Sequence, residues 1–322
     1  MSAADEASYR TFAADDPTER PHQATRVPGR NARGADSLAD GIRAEQHGDL
    51  ARAVAFFETA SRVEDPAVAA EALTRLADAQ RSRNEWSEAQ AAARRAQDVA
   101  RRAGLETLVL HAMIAEANVL ICRGQFADAR AIFENVLTAS NDARMRGLAL
   151  QNVGSILAQQ GDLGAAERYF SESYGCFQRA GYRRGEATAL INYGRVTLDR
   201  GDLTLAEDLF RQAVDVSREV EHAELTALAT MNLAETLSRQ GHARKAEDLA
   251  SEALGVFRSS GIRWREIECL RLIGAINEQD GDCENAVACY ERGLELAREL
   301  GAEFEISSLS DCLARARRKK PG

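Results

Sequence analysis

Small and apolar residues recur along this chain at helical spacing, in blocks that restart about every 40 residues, and each block contains a short polar break. The breaks are Gly48-Asp49, Asn84-Glu85, Gly124-Gln125, Gly161-Asp162, Gly201-Asp202, Gly241-His242 and Gly281-Asp282, spaced 36, 40, 37, 40, 40 and 40 residues apart. Alignment on the break exposes three columns. Seven residues before it stand Gly41, Ala77, Ala117, Gly154, Gly194, Ala234 and Gly274, all small. Five residues after it stand Ala53, Ala89, Ala129, Ala166, Ala206, Ala246 and Ala286. The chain holds 59 alanines in 322 residues, too few to fill that column by chance. Nine residues after it stand Phe57, Ala93, Phe133, Phe170, Phe210, Ala250 and Tyr290.

The pattern predicts two helices per block. Glycine at the break ends the first, helix A, and the acid after it (Asp49, Asp162, Asp202, Asp282) suits the exposed N–H groups that open helix B. A glycine inside helix A costs about 1 kcal/mol against alanine. Gly154, Gly194 and Gly274 are therefore expected to return that cost through close approach of helix B. Helix B is predicted to stop at Gly104, Gly181, Gly261 and Gly301, each followed by an apolar residue. No proline interrupts residues 67–320, so unbroken helix is allowed there. Residues 1–34 are rich in Pro, Arg and Asp without periodicity and read as a disordered segment. Seven blocks fill 35–306. Residues 303–319 read as one further helix A, so that 307–322 forms a capping helix with a basic tail.

Small residues in helix A, glycine at the turn, then alanine and an aromatic in helix B, with Ala60, Ala96, Ala213 and Ala253 one helical turn on, resemble the tetratricopeptide repeat. The resemblance covers about 280 residues. It implies an all-α, right-handed superhelical solenoid of seven helix pairs plus a C-terminal capping helix. The family's terminal proline is missing apart from Pro66, and the period exceeds the usual length of about 34 residues. The longer repeat is similar to that of bacterial signalling proteins, peptide-sensing Rap-like receptors and kinesin light chains.

The resemblance also implies a concave inner wall lined by helix A. In its register Asn152, Asn192 and Asn232 share one ligand-facing position, 40 residues apart. An asparagine amide both donates and accepts, which suits an extended peptide backbone; alternatively each amide bonds a neighbouring helix and only ties blocks together. Gln151, Arg195, Asp199, Glu235, Arg239 and Arg271 fall on the same wall, with Ser155, Gln159, Thr188, Met231, Glu268 and Gln279 around them. Arg195 and Arg239 have the chemistry to hold a ligand carboxylate. The competing arrangement pairs Arg195 with Glu235 one block on, and Asp199 with Arg239. The lysine and asparagine trio with which related domains clamp a chaperone's terminal carboxylate is missing.

Charge and composition narrow the function. The net charge is −9 overall, zero over 1–34 and +4 over 307–322, which leaves −13 on the body. So acidic a body is poorly matched to nucleic acid. No uncharged apolar run reaches the roughly 18 residues a membrane helix needs, and the polar start lacks a secretory apolar core. Six cysteines without a CxxC pair read as a reduced, cytoplasmic protein. No phosphate loop, nucleophile elbow or zinc-ligand spacing is present, so no enzyme, cofactor or metal is expected. His111 and Cys122 fall at groove positions, and Cys283 and Cys289 do not face as ligands would. The basic run Arg315 to Lys320 reads as a helix C-terminus favoured by cations. The expected function is a non-enzymatic protein-interaction module or scaffold that binds an extended peptide or a partner helix in its groove. The alternative is a peptide- or ligand-responsive cytoplasmic regulator whose superhelix changes pitch. The sequence leaves the oligomeric state open.

Overall fold

The computed structural model describes residues 32–319, all helices and turns with no strand among them. They form two compact units, 32–156 and 157–319. The first holds α1 (Ala32–Gln46), α2 (Leu50–Ala60), α3 (Pro66–Ser82), α4 (Trp86–Arg102), α5 (Glu106–Cys122), α6 (Phe126–Ala139) and most of α7 (Ala143–Gln159). The second holds α8 (Leu163–Ala180), α9 (Arg183–Asp199), α10 (Leu203–Glu219), α11 (Ala223–Arg239), α12 (Ala243–Ser259), α13 (Arg263–Asp280), α14 (Cys283–Leu300) and α15 (Glu303–Lys319). Odd-numbered helices are A and even-numbered ones B: seven pairs, closed by α15. The segment expected to be disordered lies outside the described residues, except that residues 32–34 already belong to α1.

Each break is a left-handed turn. Gly201 takes φ +86°, and Asn84 replaces glycine at φ +61°, which its short polar side chain tolerates. The acid that follows is the N-cap itself. Asp162 accepts from Ala165 N at 3.0 Å, Asp202 from Leu205 N at 3.1 Å and Asp282 from Asn285 N at 3.0 Å.

The alanine column is fully buried, from Ala53 to Ala286. The small column of helix A is met closely by helix B, and at Gly41, Gly194 and Gly274 the group that meets it is a ring. A Cβ at Gly194 would lie 2.7 Å from the Phe210 ring, and one at Gly274 would lie 2.5 Å from the Tyr290 ring. Gly41 stands against Phe57 in the same way, at 2.5 Å. The glycine thus makes a socket for a ring 16 residues on, rather than simply letting backbones approach. Where the column holds Ala77 or Ala234, the residue 16 places on is Ala93 or Ala250. Ala117 opposite Phe133 is the exception. Each ring is fully buried, worth about 1.5–3 kcal/mol of apolar transfer.

The last helix is fastened electrostatically. Glu278 of α13 accepts from Arg315 Nε at 2.8 Å and Nη2 at 3.0 Å, pairs with Lys319 at 2.9 Å, and accepts from the Tyr290 hydroxyl at 3.2 Å. Arg317 reaches Glu291 at 2.6 Å. Three cations of the basic run therefore bind the chain's own carboxylates.

Candidate functional site

In the second unit the inner register places four charges together on neighbouring A helices. Arg195 of α9 donates to Glu235 of α11 at 2.6 Å and to Asp199 at 3.0 Å. Arg239 donates to the other oxygen of Glu235 at 2.5 Å and to the Leu198 carbonyl at 3.3 Å. Pairing of Arg195 with Glu235 matches the competing sequence reading, and Glu235 carries both guanidiniums. Burial raises the Glu235 carboxyl, but Arg195 and Arg239 outweigh it and hold the group below the usual range. It therefore stays ionised. The quartet is neutral and only partly exposed.

Further along the wall lies a residue the sequence reading missed. Arg265 is 4% exposed, pairs with Glu268 at 2.6 Å and stacks on the exposed Trp264 at 3.8 Å. Its guanidinium is pushed down by burial, with the field of Arg195 adding to that. The signal was available: 40 and 80 residues earlier the same position holds Leu225 and Gly185. Arg271 is half-buried, with its Nε lacking a hydrogen-bond partner. Glu305 of α15 senses it: burial raises that carboxyl, and Arg271 pulls it back.

The asparagines lie deeper than the register suggested. Asn192 and Asn232 are 8% and 5% exposed, and Asn192 Nδ2 is buried with no hydrogen-bond partner. In the first unit Asn152 is 1% exposed; its Nδ2 donates to Leu148 O at 2.9 Å while its Oδ1 has no partner. Gln151 is buried beside it with an unpartnered Oε1. All four amides are thus buried, where the register expected them on the groove surface. Unmet buried donors and acceptors of this kind cost about 1–3 kcal/mol each. Asn277, buried at a different register position, is satisfied by Glu247 at 3.1 Å and Ile273 O at 3.0 Å. Of the remaining candidates, Cys122 is exposed, His111 is half-buried, and Cys283 is buried while Cys289 is half-buried. Among the described residues no cluster of His, Cys, Asp and Glu could hold a metal ion, and no helix is long and apolar enough to cross a membrane.

Family models described as tetratricopeptide repeat match residues 146–219, 185–259 and 225–299, and a second such model matches 110–135. Comparison with the curated proteins returned no match. Among solved structures, the apo form of RapI shares 15% identity at a TM-score of 0.64, over 84% of this chain and 99% of that one. A signal transduction ATPase with a tetratricopeptide repeat sensor, from Pyrococcus horikoshii, shares 14% at 0.68, over 86% and 44%. The Rap conjugation gene regulator of plasmid pLS20, in complex with the Phr* peptide, shares 17% at 0.64, over 84% and 74%. At such identities the likeness is one of fold.

Proposed function

Because this chain belongs to the tetratricopeptide repeat family, we propose that it is a non-catalytic binding module that takes an extended peptide or a partner helix along the inner faces of its A helices. The observation that carries this reading is the neutral Arg195–Asp199–Glu235–Arg239 quartet, set on ligand-facing register positions and only partly shielded from water. In this reading Arg195, Arg239 and Arg271 take carboxylates of the partner, and Glu235 and Asp199 take its cations. Asn192 and Asn232 in the second unit, and Gln151 and Asn152 in the first, reach a backbone only when the surface over each opens. A peptide-bound Rap regulator among the fold neighbours supports a peptide as the ligand. We place the module in the cytoplasm, since all six cysteines are free thiols. The acidic body argues against nucleic acid as the partner.

Affinity pull-down with mass spectrometry tests the proposal, comparing the wild type with Arg195→Ala/Arg239→Ala at matched melting temperature. Loss of specific partners from the variant supports it. Recovery of the same proteins in the same yield overturns it. The unmet amides of Asn152 and Asn192 favour a second reading, a regulator in which ligand binding changes the pitch of the helices. A change in small-angle scattering when a captured peptide is added back would support that version, and an unchanged profile would exclude it.

A further inference from the structure

The sixth pair differs from its neighbours at four aligned positions, and a cleft has opened there. Repeats five to seven are in strict 40-residue register. At the first position they read Arg183, Ala223, Arg263; at the second, Glu186, Thr226, Glu266; at the third, Leu190, Thr230, Leu270; at the fourth, Glu219, Ser259, Glu299. In the flanking repeats these side chains are engaged. Arg183 binds Glu186 at 2.6 Å and also Glu219, Arg263 binds Glu299, and Leu190 and Leu270 are buried. In the sixth repeat all four are truncated together.

Three of the four, Ala223, Thr226 and Thr230, line a cleft of about 320 Å³ between the end of α10, the first turns of α11 and the middle of α12. It lies on a different face of α11 from Asn232 and Glu235, so it is separate from the groove and does not rest on the groove reading. Thr226 and the buried Thr230 stand on one wall, with Ala227, Ala253 and Val256 supplying an apolar lining. The rim holds Glu221, Glu252 and a single guanidinium, Arg218, which lies 3.7 Å from Glu252 with both side chains more than half exposed. Glu221 occupies a left-handed backbone site at φ +54°, where Gly181, Gly261 and Gly301 stand in the neighbouring turns. A carboxylate is therefore kept at this rim in a conformation that glycine adopts without strain.

We propose that this cleft binds a guanidinium or ammonium group carried on a short apolar stem. The flanking repeats show what suits the position: an aliphatic side chain beside a guanidinium held by carboxylates. The sixth repeat has withdrawn its aliphatic group, its guanidinium and the two carboxylates that would hold it, and it carries two others, Glu221 and Glu252, against one cation at the entrance. The cationic head lies between Glu221 and Glu252, and the stem runs over Ala227, Ala253 and Val256 toward Thr230. The head belongs either to a free amine or to a basic side chain of a partner protein.

Methyl NMR on the full chain, labelled at Ala and Val methyls, reads the site directly. The probes are n-butylguanidinium, the blocked tripeptide acetyl-Gly-Arg-Gly-amide, and butyrate as the anionic control. The expected result is saturable shifts of the Ala227, Ala253 and Val256 methyls with at least one cationic probe, and binding of butyrate about tenfold weaker or more. Saturation by butylguanidinium alone assigns a free amine; saturation by the tripeptide as well assigns a partner's side chain. Thr230→Leu restores the residue found at 190 and 270, and it should weaken the cationic probe about tenfold while raising the melting temperature. Glu252→Gln, at an exposed site that folding does not need, should weaken it about threefold. Equal binding of butyrate, undiminished binding to Thr230→Leu, or the lack of any saturable shift overturns the assignment.

Discussion

Substitution of Gly194 by alanine tests the socket in isolation. The new Cβ would sit 2.7, 3.0 and 3.0 Å from three atoms of the Phe210 ring, where ordinary contact begins near 3.4 Å. The ring is fully buried. Overpacking of this kind costs about 1–3 kcal/mol, and alanine's better helix propensity returns about 1 kcal/mol. Gly194→Ala should therefore lose about 0–2 kcal/mol. Phe210→Ala alone should lose about 3–5 kcal/mol by leaving a cavity. The double variant recreates the Ala234 and Ala250 pair of the next repeat. There the added methyl meets no ring, and its propensity gain is retained. The two changes should thus be coupled by about 1–3 kcal/mol in the stabilising direction. Chemical denaturation of the four proteins, followed by helical circular dichroism at constant slope, measures the cycle. Additivity within about 0.5 kcal/mol would refute the socket and leave Gly194 as a mere tolerance of the helix.

Glu278→Gln should loosen α15, seen as faster amide exchange over 303–319 and a lower melting temperature. Hydrogen bonds from Arg315 lead in holding that carboxyl down at about 2, with Lys319 and Tyr290 adding to them against burial. A depressed carboxyl stabilises above its unfolded value of about 4.3, and this contribution fades as pH falls through about 2. The gap between variant and wild type should therefore be about 1–2 kcal/mol near neutrality, discounted because Arg315 and Lys319 are half exposed, and should close in strong acid. Glu235→Gln should cost about 1–2 kcal/mol at neutral pH by leaving Arg195 and Arg239 facing each other, with the deficit shrinking below the ordinary glutamate range. Glu221→Gly should raise stability by up to about 1 kcal/mol, read as a higher melting temperature, by removing the strain of a left-handed non-glycine residue.

The helix pairs were legible in the sequence because their geometry forbids side chains at fixed places. Ala53 and Ala206 are fully buried and nothing fits at Gly194 or Gly274, so those columns stand out without alignment to any other chain. The salt link from Arg195 to Glu235 was legible for a related reason, since identical register on adjacent A helices puts the two side by side. Depth was not legible. Periodicity reports the face a residue occupies but not how far neighbouring side chains close over it, which is why Asn152 and Asn192 were assigned to the wall and not beneath it. Arg265 stands outside the ligand-facing register, and its charge interrupts a column otherwise held by Leu225 and Gly185. The cleft of the sixth repeat was hidden for the opposite reason: it is lined by three ordinary-looking residues, Ala223, Thr226 and Thr230, where the flanking repeats carry larger ones.

Ring and socket come from the same pair of helices, separated by 16 residues in the chain. A genetic crossover whose ends fall outside the helix pair therefore moves lock and key together, so the ring arrives with the room made for it. Lengthening by duplication is cheap for such a chain. Innovation is then free to fall on the links between copies, where Arg195 meets Glu235, and on single copies that shed their filling.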